Sequence, residues 1–198
     1  MTKISVILAI AIMVVPCVAL AGTNLIDDPG FEDKGQAGWL DNDFGPQYVR
    51  DYNSTEERHS GNQSLKLEAT GKYDDANKWE MSGAKQIFPV TPGDVIKGGA
   101  WLKCKNLGKV EAYVECKWLD ADKQELGSGI GTVHKTTGSG DWEYQDLGMW
   151  TEAERTAPAK AAYVDFRLNL LSAGFADTAT GMVWWDDVKF EIVPKVSK

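Results

Sequence analysis

Apolar and polar residues alternate with a period of two along most of the chain. The clearest runs are residues 64–69, 95–104, 110–118, 163–170 and 182–193. Such alternation marks half-buried strands, because successive side chains of a strand point to opposite faces. Turn formers cluster between the runs, at Pro92-Gly93-Asp94, Asn106-Leu107-Gly108, Asp120-Ala121-Asp122 and Gly138-Ser139-Gly140. No window sustains a 3.6-residue apolar period, and the one helix-like patch, residues 150–155, is short. Many short strands at this spacing predict an all-β sandwich of two antiparallel sheets. The pattern shows no internal repeat and no linker, so residues 22–198 are expected to form a single domain.

Alternation also assigns faces. In residues 164–170 the apolar set points inward, and Asp165, Arg167 and Asn169 share the other face. In 100–104 Trp101 falls on the outer face with Lys103, and in 110–116 Glu111, Tyr113 and Glu115 do so. Outward charge is ordinary in a sandwich strand. Two large outward aromatics call for a reason.

Lys3, the apolar run 4–15 and Ala19-Leu20-Ala21 have the form of a signal peptide cleaved after residue 21. The run is too short to span a bilayer comfortably, and Pro16 before Cys17 argues against a lipid anchor. No later apolar run could span a membrane, which predicts a secreted, extracellular or periplasmic product. The remaining 177 residues can bury roughly 70% of their unfolded surface. They carry 20 basic and 29 acidic side chains, a formal charge of −9, which makes nucleic acid a poor partner. Cys104 and Cys116 both fall on core-facing positions. A buried disulfide and two small core hydrophobes are equally open readings.

Several segments read together. They are Asn24-Leu25-Ile26, Gly30-Phe31-Glu32 and Trp39; His59-Ser60-Gly61 through Leu67; Gln86 through Gly93 leading into Gly99 to Lys103; Trp118 to Asp122; Gly140-Asp141-Trp142; Ala157-Pro158-Ala159; and Val183 to Val188. In this order they resemble the jelly-roll carbohydrate-binding modules of the family 4, 9 and 22 type, a galactose-binding-like architecture. The resemblance covers nearly all of the chain after residue 21 and implies a jelly-roll β-sandwich. It also implies a structural calcium held by Glu32, by Asp186 and by carbonyls near Gly30, Gly61 and Asn62. Calcium takes six to eight hard oxygens, which carboxylates and carbonyls supply. Asp120-Ala121-Asp122 lacks the remaining ligands of a calcium loop and reads as an ordinary turn.

Sugar recognition uses aromatic faces together with amides, Arg and carboxylates that bond hydroxyls. Trp39, Trp142 and Trp185 match packing positions of the similar modules. Trp101, Tyr113, Trp79, Arg167 and Asn169 are the candidates for a concave sheet face, and Tyr48 and Tyr52 for its rim or a loop tip. The expected function is therefore non-catalytic binding of a polysaccharide or glycan chain. The competing readings are an extracellular structural or adhesive protein that keeps only the fold, and a jelly-roll hydrolase or lyase. For the last, Glu111 and Glu115 share a strand face and could pair as acid and base. His59 and His134 stand isolated in sequence, with no triad or zinc spacing around them. Asn53-Ser54-Thr55 and Asn62-Gln63-Ser64 are glycosylation sequons if the source is eukaryotic.

Overall fold

A computed structural model of the chain describes residues 22–43, 48–71, 79–173 and 179–195, so the signal-peptide reading of residues 1–21 lies outside the described residues. The strands are β1 (Leu40–Asp41), β2 (Tyr48–Ser54), β3 (Ser64–Thr70), β4 (Trp79–Pro89), β5 (Val95–Leu119), β6 (Ile130–Gly131), β7 (Lys135–Asp146), β8 (Tyr163–Ala173) and β9 (Thr180–Val193). A single 3-10 turn, Leu147–Met149, follows β7. Every pairing is antiparallel. No helix among the described residues is long and apolar enough to cross a membrane.

The two alternating runs 95–104 and 110–118 are one continuous strand. Asn106 and Lys109 take left-handed backbone angles, φ 54° and 57°, and bend β5 between its halves. The first half pairs with β9 on one side and β7 on the other. The second half pairs with β8 and β6. β5 therefore passes from one layer to the other, and the sheet curls into a jelly-roll sandwich. One layer, the β9 layer, has the order β2-β3-β9-β5-β7; the other, the β8 layer, runs β1-β4-β8-β5-β6.

Inward residues of both layers share one core. Leu65 and Leu67 of β3 and Val183, Trp185 and Phe190 of β9 face Phe166, Leu168 and Leu170 of β8, with Ala100, Leu102, Val114 and Cys116 of β5. Each buried Leu, Val or Phe contributes about 1.5–3 kcal/mol relative to exposure. Trp39 and Trp185 are packing residues of this core, as expected. Cys104 and Cys116 are free, buried thiols rather than a disulfide, and burial pushes the Cys104 thiol up to about 11. The Asp120 carboxylate accepts hydrogen bonds from the amides of Asp122 and Gln124, the ordinary turn its sequence suggested.

The segment before Trp39 is docked along the last strand. The Leu25 N–H donates to the Phe190 carbonyl at 2.8 Å, and the Val188 N–H to the Pro29 carbonyl at 2.8 Å. The Asn24 side chain stands in for a backbone pair: its Nδ2 donates to the Val188 carbonyl at 2.8 Å, and its Oδ1 accepts from the Phe190 N–H at 2.9 Å. Gln86 does the same to Asp27 from β4, donating to its carbonyl and accepting from its amide. Asn53, in one of the two sequons, is spent on the fold: its Nδ2 donates to the carbonyls of Phe31 and Asp33, and its Oδ1 accepts from Gly35. Asn24→Ala is expected to leave the Phe190 amide unpaired and to lower stability by about 1–3 kcal/mol. A urea titration reads this as a lower midpoint. Lys189→Ala, exposed on the same strand, should stay within about 0.5 kcal/mol of the parent.

Candidate functional site

The outward face of the β8 layer gathers part of the expected sugar site. Strand register sets Gly83, Asn169 and Tyr113 side by side across β4, β8 and β5. The next row is Lys85, Arg167 and Glu115, and the one after it Ile87, Asp165 and Lys117. Asn169 is fully buried; its Oδ1 accepts from Asn42 Nδ2 at 2.9 Å, and its Nδ2 is next to the Tyr113 hydroxyl without a well-formed hydrogen bond to it or to any other group. Tyr113 is 8% exposed, because the His134 ring stacks on it at 4.1 Å. Burial pushes the Tyr113 phenol up to about 12. His134 is exposed, and its Nδ1 pairs with Glu111 Oε2 at 2.8 Å. At the other end of the row, Arg50 donates to the Gly83 carbonyl at 3.2 Å and pairs with Asp41 and Asp43.

Arg167, by contrast, is locked within the protein. Its Nη2 and Nε both reach Asp165 Oδ2, at 2.7 and 3.0 Å, and it also meets Glu125 at 3.0 Å and Glu115 at 3.6 Å. Burial alone would weaken its charge, and these carboxylates more than restore it, holding the guanidinium above its ordinary range. Asp165 Oδ1 is left buried and unpartnered. The half of the face around Asn42, Asn169, Tyr113 and His134 is the half with a buried donor still to satisfy. An unpartnered buried donor costs about 1–3 kcal/mol and demands an explanation.

Trp101 is not on this face. It belongs to the first half of β5 and points outward from the β9 layer, the opposite side of the sandwich. There it stacks on His59 at 3.9 Å, with Tyr144 beside it at 5.7 Å and Trp142 edge-on to His59 at 5.6 Å. The packing role expected for Trp142 is thus corrected: it is half-buried on an outward face and takes no part in the core. Tyr48 and Tyr52 sit on β2 rather than in a loop and pack against the core, and the Tyr52 ring lies 5.3 Å from Arg50 at the end of the row. The Tyr52 hydroxyl donates to Asp41 at 3.0 Å. Trp79 opens β4 opposite Ala173, and its side chain lies outside the described residues.

Glu32 and Asp186, two of the expected metal ligands, both reach the 59–63 turn. Asp28 and Phe31 both have left-handed backbones, φ 46° and 56°, and the Asp28 carboxylate accepts from the Glu32 and Asp33 amides. This turn aims Glu32 at the 59–63 turn, where its Oε1 accepts from the amides of Asn62 at 2.5 Å and Gln63 at 3.0 Å. Asp186, fully buried, takes the amides of His59 at 2.7 Å and Ser60 at 3.1 Å on Oδ2, and that of Asp187 at 2.7 Å on Oδ1. Burial pushes Asp186 up to about 6, whereas the Asn62 amide holds Glu32 below the usual carboxylate range. Gly30 lies between them: a Cβ there would sit 3.6 Å from Glu32 Cγ and 3.7 Å from Asp186 Oδ1. Asp187 turns away to pair with His59 Nδ1 at 2.6 Å and to accept from Ser60 Oγ at 2.8 Å. Among the described residues no group of three or more His, Cys, Asp or Glu side chains is gathered to hold a metal. A cation here would need oxygens besides Glu32 and Asp186, and the main-chain groups that meet those two carboxylates are N–H donors.

His134, Asn42 and Asp165 are the site residues that the sequence did not single out. Asp165 carried the signal, sharing a strand face with Arg167 and Asn169. His134 and Asn42 lie outside the alternating runs and carried none.

No protein-family model matches the chain, and no curated protein sequence does. Solved structures do match its fold. The CBM22-1 xylan-binding domain from Paenibacillus barcinonensis superposes with a TM-score of 0.57 at 12% identity, covering 90% of this chain and 99% of that one. A family 16 carbohydrate-binding module gives 0.56 at 19% identity, over 84% and 99%. The enzymatically active domain of tailspike protein 4 from bacteriophage CBA120 gives 0.58 at 14% identity; the match covers 86% of this chain but spans only 21% of the tailspike chain. At these identities the likeness is one of fold alone, a jelly-roll β-sandwich.

The turn that holds Glu32 can be tested by crowding it. Gly61 has φ +57°, and a Cβ there would lie 2.1 Å from Glu32 Oε1. Gly61→Ala is expected to destabilise by more than about 1 kcal/mol. Part of that loss should vanish in a Glu32→Ala background. A double-mutant cycle in urea reads the difference as a coupling of about 0.5–3 kcal/mol.

Proposed function

We propose that the protein is an exported, non-catalytic carbohydrate-binding module that takes a neutral polysaccharide chain across the outward face of its β8 layer. One observation carries the reading: the buried, unpartnered Asn169 Nδ2 in the row of Asn42, Tyr113 and His134, within a fold whose neighbours are carbohydrate-binding modules. A sugar hydroxyl accepts and donates at once, so it can bond the exposed His134 ring at the edge of the row, which the buried Asn42–Asn169 pair supports from beneath. His134, lying flat on Tyr113 and held by it, forms the aromatic floor for the C–H-rich side of a sugar ring. Glu111, Asp41 and Asp43 outnumber Arg50 around the row, and this acidic balance disfavours an acidic chain.

The non-catalytic reading has a local basis. Hydrolysis of a glycosidic bond needs two carboxylates free to act as acid and as base or nucleophile. Glu111 is tied to His134, and Glu115 to Lys117 and Arg167.

Calcium belongs to the same proposal as a structural ion. Glu32 and Asp186 would hold it from either side of Gly30, with main-chain carbonyls of the 30 and 61–62 turns. Bound there, it would supply positive charge to two carboxylates that otherwise rely on amide hydrogen bonds. Because those amides already satisfy both groups in part, calcium would reinforce the clasp rather than create it.

Mature protein on a glycan array with calcium present is expected to retain neutral β-linked chains. Tyr113→Ala and Asn169→Ala should each weaken the retained affinity at least about tenfold, a loss of about 1.4 kcal/mol, without release of reducing sugar by any form. Retention of no polysaccharide, or retention unaffected by both substitutions, would overturn the assignment. For the metal, a chelator should lower the melting temperature and calcium should restore it, with no such response in Asp186→Asn. A melting curve indifferent to chelator removes calcium from the proposal and leaves the glycan reading standing.

A further inference from the structure

The outward face of the β9 layer holds aromatics that the core does not account for. Trp101, Trp142 and Tyr144 are all half-buried, and none belongs to the core or packs against it. The other large aromatic of this face, Trp184, is 1% exposed. It lies between Lys66 and Lys103 in register, and these pair with Glu56 at 2.7 Å and Glu57 at 2.9 Å across it. The segment after β2 thus covers Trp184 and stops at His59. Beyond it the rings are only partly covered.

Those rings form one contiguous cluster. Tyr144 is the cross-strand partner of Trp101, and their centroids are 5.7 Å apart. His59 lies flat on Trp101 at 3.9 Å, and Trp142 meets His59 edge-on at 5.6 Å. Asp187 holds His59 Nδ1 at 2.6 Å, which fixes the ring plane and leaves Nε2 as its remaining polar atom. Lys103, paired with Glu57 and 3.6 Å from Asp141, borders the cluster.

We propose that this cluster is a second glycan-binding surface, on the opposite side of the sandwich from the Asn169–Tyr113 row, so that one molecule holds two sugar chains. The proposal rests on the reading of the protein as a carbohydrate-binding module. The chemistry selects the occupant. The outer surfaces of His59, Trp142 and Tyr144 offer adjoining apolar contacts to a chain of sugar rings, and a Tyr hydroxyl, a His nitrogen and carboxylates offer hydrogen bonds to hydroxyls. Glu57, Asp141 and Asp187 outnumber Lys103, so the chain is again a neutral one. Two faces engaging one polysaccharide network raise retention through effective concentration, with no new contact at either site.

The test titrates the protein with a xylo-oligosaccharide, a cello-oligosaccharide and β-1,4-galactotriose. Stoichiometry is followed by calorimetry and ligand-induced change by tryptophan fluorescence. Light scattering then reports cross-linking of long soluble xylan or β-glucan. Wild type is expected to bind two chains and to cross-link the polymer. Trp142→Ala combined with Tyr144→Ser should bind one chain, lose most of the fluorescence response and fail to cross-link. Tyr113→Ala should also bind one chain but keep the fluorescence response. Trp142→Phe, which keeps a ring, serves where the double variant does not fold, and should weaken binding while retaining two chains. One chain bound by wild type, unaffected by the Trp142 and Tyr144 substitutions, overturns the second surface and leaves the first intact. One chain lost with Trp142 and Tyr144 but not with Tyr113 supports this surface and overturns the other. No chain bound by wild type overturns both.

Discussion

Asp186 is a carboxylate cut off from water, and much of one end of the molecule is arranged to satisfy it. A buried charge must be hydrogen-bonded or given up. Its partners are the amides of His59, Ser60 and Asp187, so the 59–63 turn is drawn against the last strand. Once placed, that turn presents its next amides, Asn62 and Gln63, to Glu32, and the N-terminal segment is fixed in turn. The same placement lays His59 on Trp101. One desolvated oxygen pair on β9 thus connects the beginning of the described chain, the loop before β3 and an outward aromatic face. The docking of 24–29 along β9 is a second tie at the same end, made by main chain and by Asn24, and it stands without any ion.

The two outward faces start from the same alternation and are finished differently. On the β8 layer the register sets Arg167 beside Glu115 and Asp165 beside Lys117, so that half of the face closes into an ion-pair network. Charges so paired are of little use to a ligand, because each must first be released. The adjoining row is built from neutral polar groups and leaves a donor over. On the β9 layer the charges are spent instead on covering Trp184, and the rings beyond it are only partly covered.

Alternation made the strands legible, and with them which side chains point in. It also placed Tyr113, Asn169 and Arg167 outward correctly. It could not say which layer a strand joins. Trp101 and Tyr113 are twelve positions apart on what proves to be a single strand, and the bend at Asn106 and Lys109 sends them to opposite sides. Register was equally hidden: the sequence shows that Arg167 and Glu115 face outward, not that they are neighbours. Trp142 had a usable signal, since it alternates with Tyr144 in β7, but the family likeness assigned it to packing. Glu32 and Asp186 lie far apart in sequence, and only the likeness to known modules joined them before the fold did.

The chain has two histidines, and both do the same thing. Each lies flat on an outward aromatic, His59 on Trp101 and His134 on Tyr113, on opposite faces. Each gives its Nδ1 to a carboxylate, Asp187 or Glu111. A ring held at one nitrogen and stacked on its flat side has little freedom left, and neither has the aromatic beneath it. Ordering side chains is a large part of what opposes binding, about 0.5–1.5 kcal/mol for each mobile one. A platform already immobilised by its own histidine avoids that loss when a ligand arrives. The carboxylate also orients the imidazole, so its second nitrogen presents a defined polar edge next to an apolar surface. A sugar ring offers that same combination, hydroxyls at its rim and C–H groups on its face. Two unrelated stretches of chain, one before β3 and one before β7, reach this arrangement independently.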